Sequence, residues 1–293
     1  MTTSSGVIVI PTHRTGVAML ENLLASLKRC TAYPILIVIC DYKRSDKKVF
    51  ARIREQFSYL PITWERIETN SFEFGGLYTA YQKTNYDEFL LLSHSCEILN
   101  PALFDLVFEK HKGKSIAFTL EPGNWQATQS EDQKLLLKYI DKDTNRKLLE
   151  LGEVKFWLAH LGKYRRVILD KMDLKQYLPT NMFEAISISE LLFTTTYHSL
   201  DPATIVLFPE CRRSVFEEKF GRTRRKIEND YFIKWQTHWT LNMVFEDIQS
   251  KLWRYRLKNT VKKFVLQHYP GAYPGISKAK RTYRLLRGRL TLH

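Results

Sequence analysis

Val7-Ile8-Val9-Ile10, broken off by Pro11-Thr12-His13-Arg14, is the stretch whose reading decides the fold. Three more apolar runs before residue 125 end in the same abrupt way. Ile35 to Cys40 stops at Asp41, Phe89 to Leu92 at Ser93-His94-Ser95, and Ile116 to Thr119 before Glu121-Pro122-Gly123. Short apolar runs rich in β-branched residues read as strands covered on both faces in a parallel sheet. Ligands of open α/β sheets sit beyond the carboxyl ends of the strands, so the polar clusters should converge on one crevice. The expectation is an enzyme or ligand binder on an α/β sheet, its site largely assembled before residue 125.

The segments between the runs fit that reading. Val17, Leu20, Leu23, Leu24 and Leu27 recur at helical spacing within 16–29, as a crossover helix requires. Asp46 to Phe57 predicts a second helix, Ile62 to Ile67 a third strand, and Gly75-Gly76 a loop leading into a short helix, Leu77 to Thr84. Asn100-Pro101 opens the helix Ala102 to His111. The β-α-β-α-β order predicts a Rossmann-like half. Farther on, 126–151 reads as a charged helical insertion over the site. A strand-like segment falls within 152–169, a helix over 184–196 and a last strand over 204–208. Two basic helices span roughly 245–268 and 276–289.

Composition excludes several classes. At 44% hydrophobic and 13% aromatic residues the chain has ample core and is not a disordered polymer. No apolar stretch approaches the ~20 residues of a spanning helix. Met1 to Ser5 lacks a basic start followed by an apolar region, which predicts no signal peptide. Cys30, Cys40, Cys96 and Cys211 show no metal or redox spacing and read as reduced thiols of a cytoplasmic protein. Charge is unevenly spread. Residues 251–293 carry 12 Lys or Arg and no Asp or Glu, which leaves +2 of the formal +14 for residues 1–250. A cationic end on a near-neutral body points to an anionic surface.

The order of these motifs resembles the inverting GT-A-fold glycosyltransferases of the family-2 type, over about residues 6–210. Val7 through Arg14 looks like the family's opening strand and sugar-nucleotide loop, and Asp41 with Ser45-Asp46 like its base- or ribose-facing aspartate. Gly75-Gly76-Leu77 looks like the glycine-bearing segment before the metal-site strand. Ser93-His94-Ser95 then occupies the D-x-D place. The resemblance implies a GT-A-like domain over 1–244, a mainly parallel twisted sheet flanked by helices, with a basic amphipathic helical extension over 245–293. It implies transfer of a sugar from a nucleotide-sugar donor to a hydroxyl of a glycan or lipid-linked saccharide, in the manner of a hexosyltransferase.

The D-x-D place departs from the family. Paired carboxylates hold Mg²⁺ or Mn²⁺ against the donor diphosphate; hydroxyls hold such ions weakly. Three readings stay open: a metal-independent enzyme, a metal held through Glu97 or His94, or a silent module that binds sugar nucleotide or glycan. Donor contacts are expected from Pro11, Thr12, His13, Arg14, Asp41, Gly75, Ser93, His94 and Ser95, and acceptor stacking from Trp125. Glu190, with Glu184 competing, is the candidate base that takes the acceptor proton. Each has a plainer reading: a surface arginine, a turn aspartate, a packed histidine, a core tryptophan, a solvent-facing helix glutamate.

In the tail, Trp253, Leu257, Val261, Phe264 and Val265 lie beside Arg254, Arg256, Lys258, Lys262 and Lys263, and Ile276, Ala279, Tyr283, Leu286 and Leu290 repeat the stripe. A basic helix of this kind can lie on an anionic membrane surface, which predicts a cytoplasmic protein peripheral to the inner membrane face. The same stripes fit packing on the body or a homo-oligomer. Nucleic acid is disfavoured because the α/β body is near neutral and lacks a recognised nucleic-acid module.

Overall fold

The computed structural model describes residues 6–27, 32–68, 71–124, 153–157, 160–179, 185–211, 215–219 and 222–236. Strand β1 (Gly6–Thr12) is buried from end to end. Its alternate side chains, Ile8 and Ile10, join a core with Leu20, Leu23, Leu24 and Leu27 from α1 (Val17–Ser26) and the residue after it. Ile35, Ile37 and Ile39 of β2 (Ile35–Ile39) and Phe50 and Ile53 of α2 (Lys47–Gln56) belong to the same layer. β3 (Ile62–Arg66) is half exposed, as an edge strand is. The opposite face is covered by α3 (Phe72–Lys83), which packs over β1, β2 and β4 (Glu88–Leu91).

After β4 come β5 (Cys96–Ile98), α4 (Ala102–Asp105, continued by a wider π turn to Lys110) and β6 (Ile116–Ala117). β7 (Leu120–Asn124) and β8 (Glu153–Trp157) form an antiparallel ribbon. β9 (Gly162–Arg165) precedes a π-helical segment, Ala185–Phe193, that continues as α5 (Thr194–Leu200), then β10 (Ile205–Val206). The main sheet has seven strands in the order β10-β6-β9-β4-β1-β2-β3. All pairings are parallel except those of β9, which runs against β4 and β6. The fold is thus α/β: a mainly parallel sheet flanked by helices.

A fully buried lysine fixes β9 in place. Lys163 donates to Glu88 of β4 at 3.0 Å and to the carbonyls of Val107 and His111 at 2.8 Å each. The second Glu88 oxygen accepts from the Gly113 amide at 2.6 Å. Every polar atom of the pair is thereby matched, which lets a charge sit at no exposure.

Two departures from the sequence reading stand out. Gly75 and Gly76 are not in a loop but inside α3, which begins at Phe72. Both are there for clearance: a Cβ on Gly76 would lie 2.7 Å from Pro11 Cβ, and one on Gly75 would lie 2.4 Å from Ser71 Cβ. Second, β11 (Val215–Lys219), β12 (Arg222–Glu228) and β13 (Phe232–Gln236) form an antiparallel sheet that ends on β5. No strand was expected over 215–236. The expected insertion over 126–151, the boundary at 244 and the tail helices lie outside the described residues. Among the described residues no helix is long and apolar enough to cross a membrane.

Candidate functional site

β1 lies between β2 and β4, and β3 extends the sheet on the β2 side. Strand order therefore reverses at β1, and the crevice beyond the carboxyl ends of β1 and β4 is the expected ligand position. Two histidines meet there. His13, just past β1, and His94, just past β4, approach edge to face with ring centroids 4.9 Å apart. His94 Nδ1 lies 3.1 Å from the Pro11 carbonyl, and its Nε2 faces Gly16 so closely that a Cβ there would come within 2.5 Å. The Nδ1 contact latches the end of β4 to the end of β1. Burial first, then the neighbouring His13 and Lys234, pushes its pKa down to about 3 against the pull of Glu73, and the ring is neutral at pH 7.

Ser93 and Ser95 flank that latch, with their hydroxyl oxygens 3.0 Å apart and both side chains buried. The Lys234 ammonium of β13 donates to Ser95 Oγ. Lys234 arrives there because β13 pairs with β5, opposite Cys96, and the Trp235 amide donates to the Ser95 carbonyl at 2.9 Å. It is 4% exposed and, among the described residues, forms no ion pair.

Glu73, in the first turn of α3, balances this charge through space. Burial disfavours its carboxylate, but Lys234, His94 and His160 outweigh that and hold its pKa below the ordinary range. His160 stands just before β9, buried, with its pKa lowered to about 4 by desolvation foremost and by Lys234, against Glu73. Asp41, half exposed, acts with Glu73 on His13, whose pKa burial nevertheless lowers. Among the described residues three non-glycine residues take positive φ, Asp41 at 52°, Phe72 at 48° and His160 at 58°, and all three border this cluster. Such backbone strain costs ~1–3 kcal/mol per residue and collects at functional sites. The buried Oγ1 of Thr12 and Thr119 and Nδ1 of His160, at the same sheet edge, have no hydrogen-bond partner among the described residues. A bound polar ligand is one explanation for such orphaned atoms.

The structure thus brings Pro11, Thr12, His13, Asp41, Ser93, His94 and Ser95 together. Arg14 stands at the rim, exposed, 3.9 Å from Asp46. Gly75 is buried in α3 with its amide bound to the Ser71 carbonyl at 2.7 Å. Glu97 points to α1, where its carboxylate accepts from Asn22 at 3.0 Å. Glu190 is half-buried in the π-helical segment and acts on the Tyr164 hydroxyl. Trp125 and Glu184 lie outside the described residues. Sequence reasoning missed Glu73, His160 and Lys234. An acidic residue in the first turn of a helix was the available signal for Glu73, once α3 is started at Phe72; nothing near Lys234 in sequence marks it.

The donor set does not fit the Mg²⁺ or Mn²⁺ that the resemblance implies. Such ions are held by carboxylate and other oxygen ligands. At the D-x-D place stand two hydroxyls, an imidazole whose Nδ1 is taken by the Pro11 carbonyl, and the Lys234 ammonium, with Glu73 and Asp41 on other elements of the cluster. Among the described residues no group of three His, Cys, Asp or Glu side chains could hold a metal.

No family model and no curated protein matches the sequence. Among solved structures it is similar to S. aureus TarS, at 14% identity and TM-score 0.44, over 69% of this chain and 35% of that one. It is similar to 4-diphosphocytidyl-2C-methyl-D-erythritol synthase from Anaerococcus prevotii, at 14% identity and TM-score 0.43, over 70% and 87% of the two chains. A third likeness, at 10% identity and TM-score 0.40, is to mannosyltransferase PcManGT from Pyrobaculum calidifontis in complex with GDP-Man and Mn²⁺, over 70% and 55%. The chain spans about a third of the TarS chain and about half of the mannosyltransferase.

Proposed function

We propose that the protein is a glycosyltransferase that moves a sugar from a nucleotide-sugar donor to a hydroxyl of a glycan or lipid-linked saccharide. The observation that carries this reading is the polar, strained and partly unpartnered cluster at the switch point of the sheet. Order of motifs along the chain supplies the sugar chemistry. In this reading Asp41, Thr12 and Pro11 face the base and ribose, Arg14 stands at the phosphate side of the rim, and Trp125 stacks on the acceptor. Glu190 accepts the acceptor proton as its oxygen attacks the anomeric carbon, with Glu184 and Glu73 the competing carboxylates. A silent binding module is the second reading, favoured by the hydroxyls at the D-x-D place.

Thermal-shift screening against a panel of nucleotide sugars, with EDTA and with Mn²⁺, tests the reading, because a ligand of the native state raises the midpoint by mass action. A panel without a shift removes it; a shift without hydrolysis or transfer selects the silent module. Glu190→Gln keeps the shape but not the basicity and should lower transfer by ~10²–10⁴ with donor affinity intact. Normal turnover in that variant moves the role to Glu184 or Glu73.

A further inference from the structure

We propose that the Lys234 ammonium, seated on the Ser95 hydroxyl beside Ser93, is a built-in cation that binds the diphosphate of the ligand where the resembled family uses a divalent ion. The identity of the ligand rests on the nucleotide-sugar reading above; the cation site itself rests on geometry. An ammonium has three donors, and Lys234 spends one on Ser95. It is 4% exposed with no ion pair among the described residues. A buried, unpaired charge is costly, and Glu73 offsets that cost at a distance rather than in contact. An anionic group entering the crevice supplies the missing contact. With Lys234 donating to Ser95, the Ser95 hydroxyl can donate to Ser93 across their 3.0 Å separation, which leaves the Ser93 hydrogen for a phosphate oxygen. The cation and the hydroxyl chain then face one anion, and charge developing on a departing diphosphate meets a preorganised donor.

Calorimetry in EDTA with inorganic pyrophosphate, and separately with UDP and GDP, tests this on the full chain. Wild type should bind pyrophosphate equally with EDTA and with Mn²⁺. Lys234→Met should weaken that binding about ten- to a hundredfold, the worth of a hydrogen bond to a charged group. Ser95→Asp keeps the lysine but gives it a carboxylate partner, and should weaken pyrophosphate binding comparably; it decides the matter if Lys234→Met does not fold. Wild-type affinity in either folded variant, or pyrophosphate binding that appears only with Mn²⁺, overturns the proposal. Pyrophosphate binding through Lys234 without any nucleotide-sugar binding sinks the proposed function and leaves this site standing. Nucleotide sugars that bind wild type and both variants alike sink this site and leave the function standing.

Discussion

Protonating His94 or His160 adds positive charge beside Lys234 where water scarcely reaches, and the pH dependence of stability follows from that. Both rings have folded pKa values below the ordinary 6.5, about 3 and about 4, chiefly through burial. Between those values and 6.5 the unfolded chain binds more protons, so stability is full above pH 6.5 and falls as pH drops toward 4. His160 alone accounts for a loss of roughly 2 kcal/mol between pH 6.5 and 5, and His94 adds in the same direction. Glu73, with its pKa lowered, extends the loss to still lower pH. The thermal midpoint should fall steadily over this window, and His160→Gln should flatten the fall; a profile unchanged by that substitution refutes the assignment. Asp41 offers a test of the ligand contact. Asn tolerates its left-handed φ of 52° as well as Asp does, so Asp41→Asn changes charge without changing backbone. Nucleotide-sugar affinity should drop by ~1–3 kcal/mol, and unchanged calorimetry takes Asp41 out of the site.

At the scale of elements, α3 shows how far pattern reading reaches. Its two glycines look like a loop by propensity, since each costs a helix ~1 kcal/mol against Ala. Tertiary contact overrides propensity here: Gly76 lets the helix lie directly on Pro11 of β1. Gly76→Ala should therefore destabilise by ~1–3 kcal/mol through overpacking, although it raises helix propensity. A higher melting temperature in that variant would mean that α3 does not bear on β1 as described. β1, β2, β4 and β6 were legible because each carries an uninterrupted apolar run, buried on both sides, with a polar stop at the site edge. β11–β13 were not, and of β9 only a strand-like segment within 152–169 was legible, not its antiparallel place between β4 and β6. Lys163 puts a charge in the middle of a buried strand, and β11 and β12 carry charged residues along most of their length. The same blindness extends to the site. Residues that end a strand, such as Thr12 and Ser93, announce themselves by position. Lys234 reaches the crevice through a pairing of β13 with β5 that no local period encodes.

For the molecule as a whole, the division of charge yields a binding prediction. The described residues all precede 237, and 12 of the chain's basic residues fall in 251–293 with no acid among them. We propose that this tail meets an anionic membrane, each cation near the surface contributing about 1 kcal/mol. The full chain should sediment with anionic vesicles at low salt and be released as salt screens the contact. A chain ending at Asp247 should keep donor affinity and lose the vesicles. Absence of sedimentation by the full chain at low salt discards the membrane contact and leaves self-packing or oligomerisation for the stripes. The seam between β13 and β5 has a consequence for how the protein is made. Lys234 follows Ser95 by 139 residues, so a ribosome has already released the whole parallel centre of the sheet before the cation exists. A chain that ends before β13 holds the two serines without Lys234 beside them. On the cation proposal above, pyrophosphate capture should strengthen only once synthesis has passed β13.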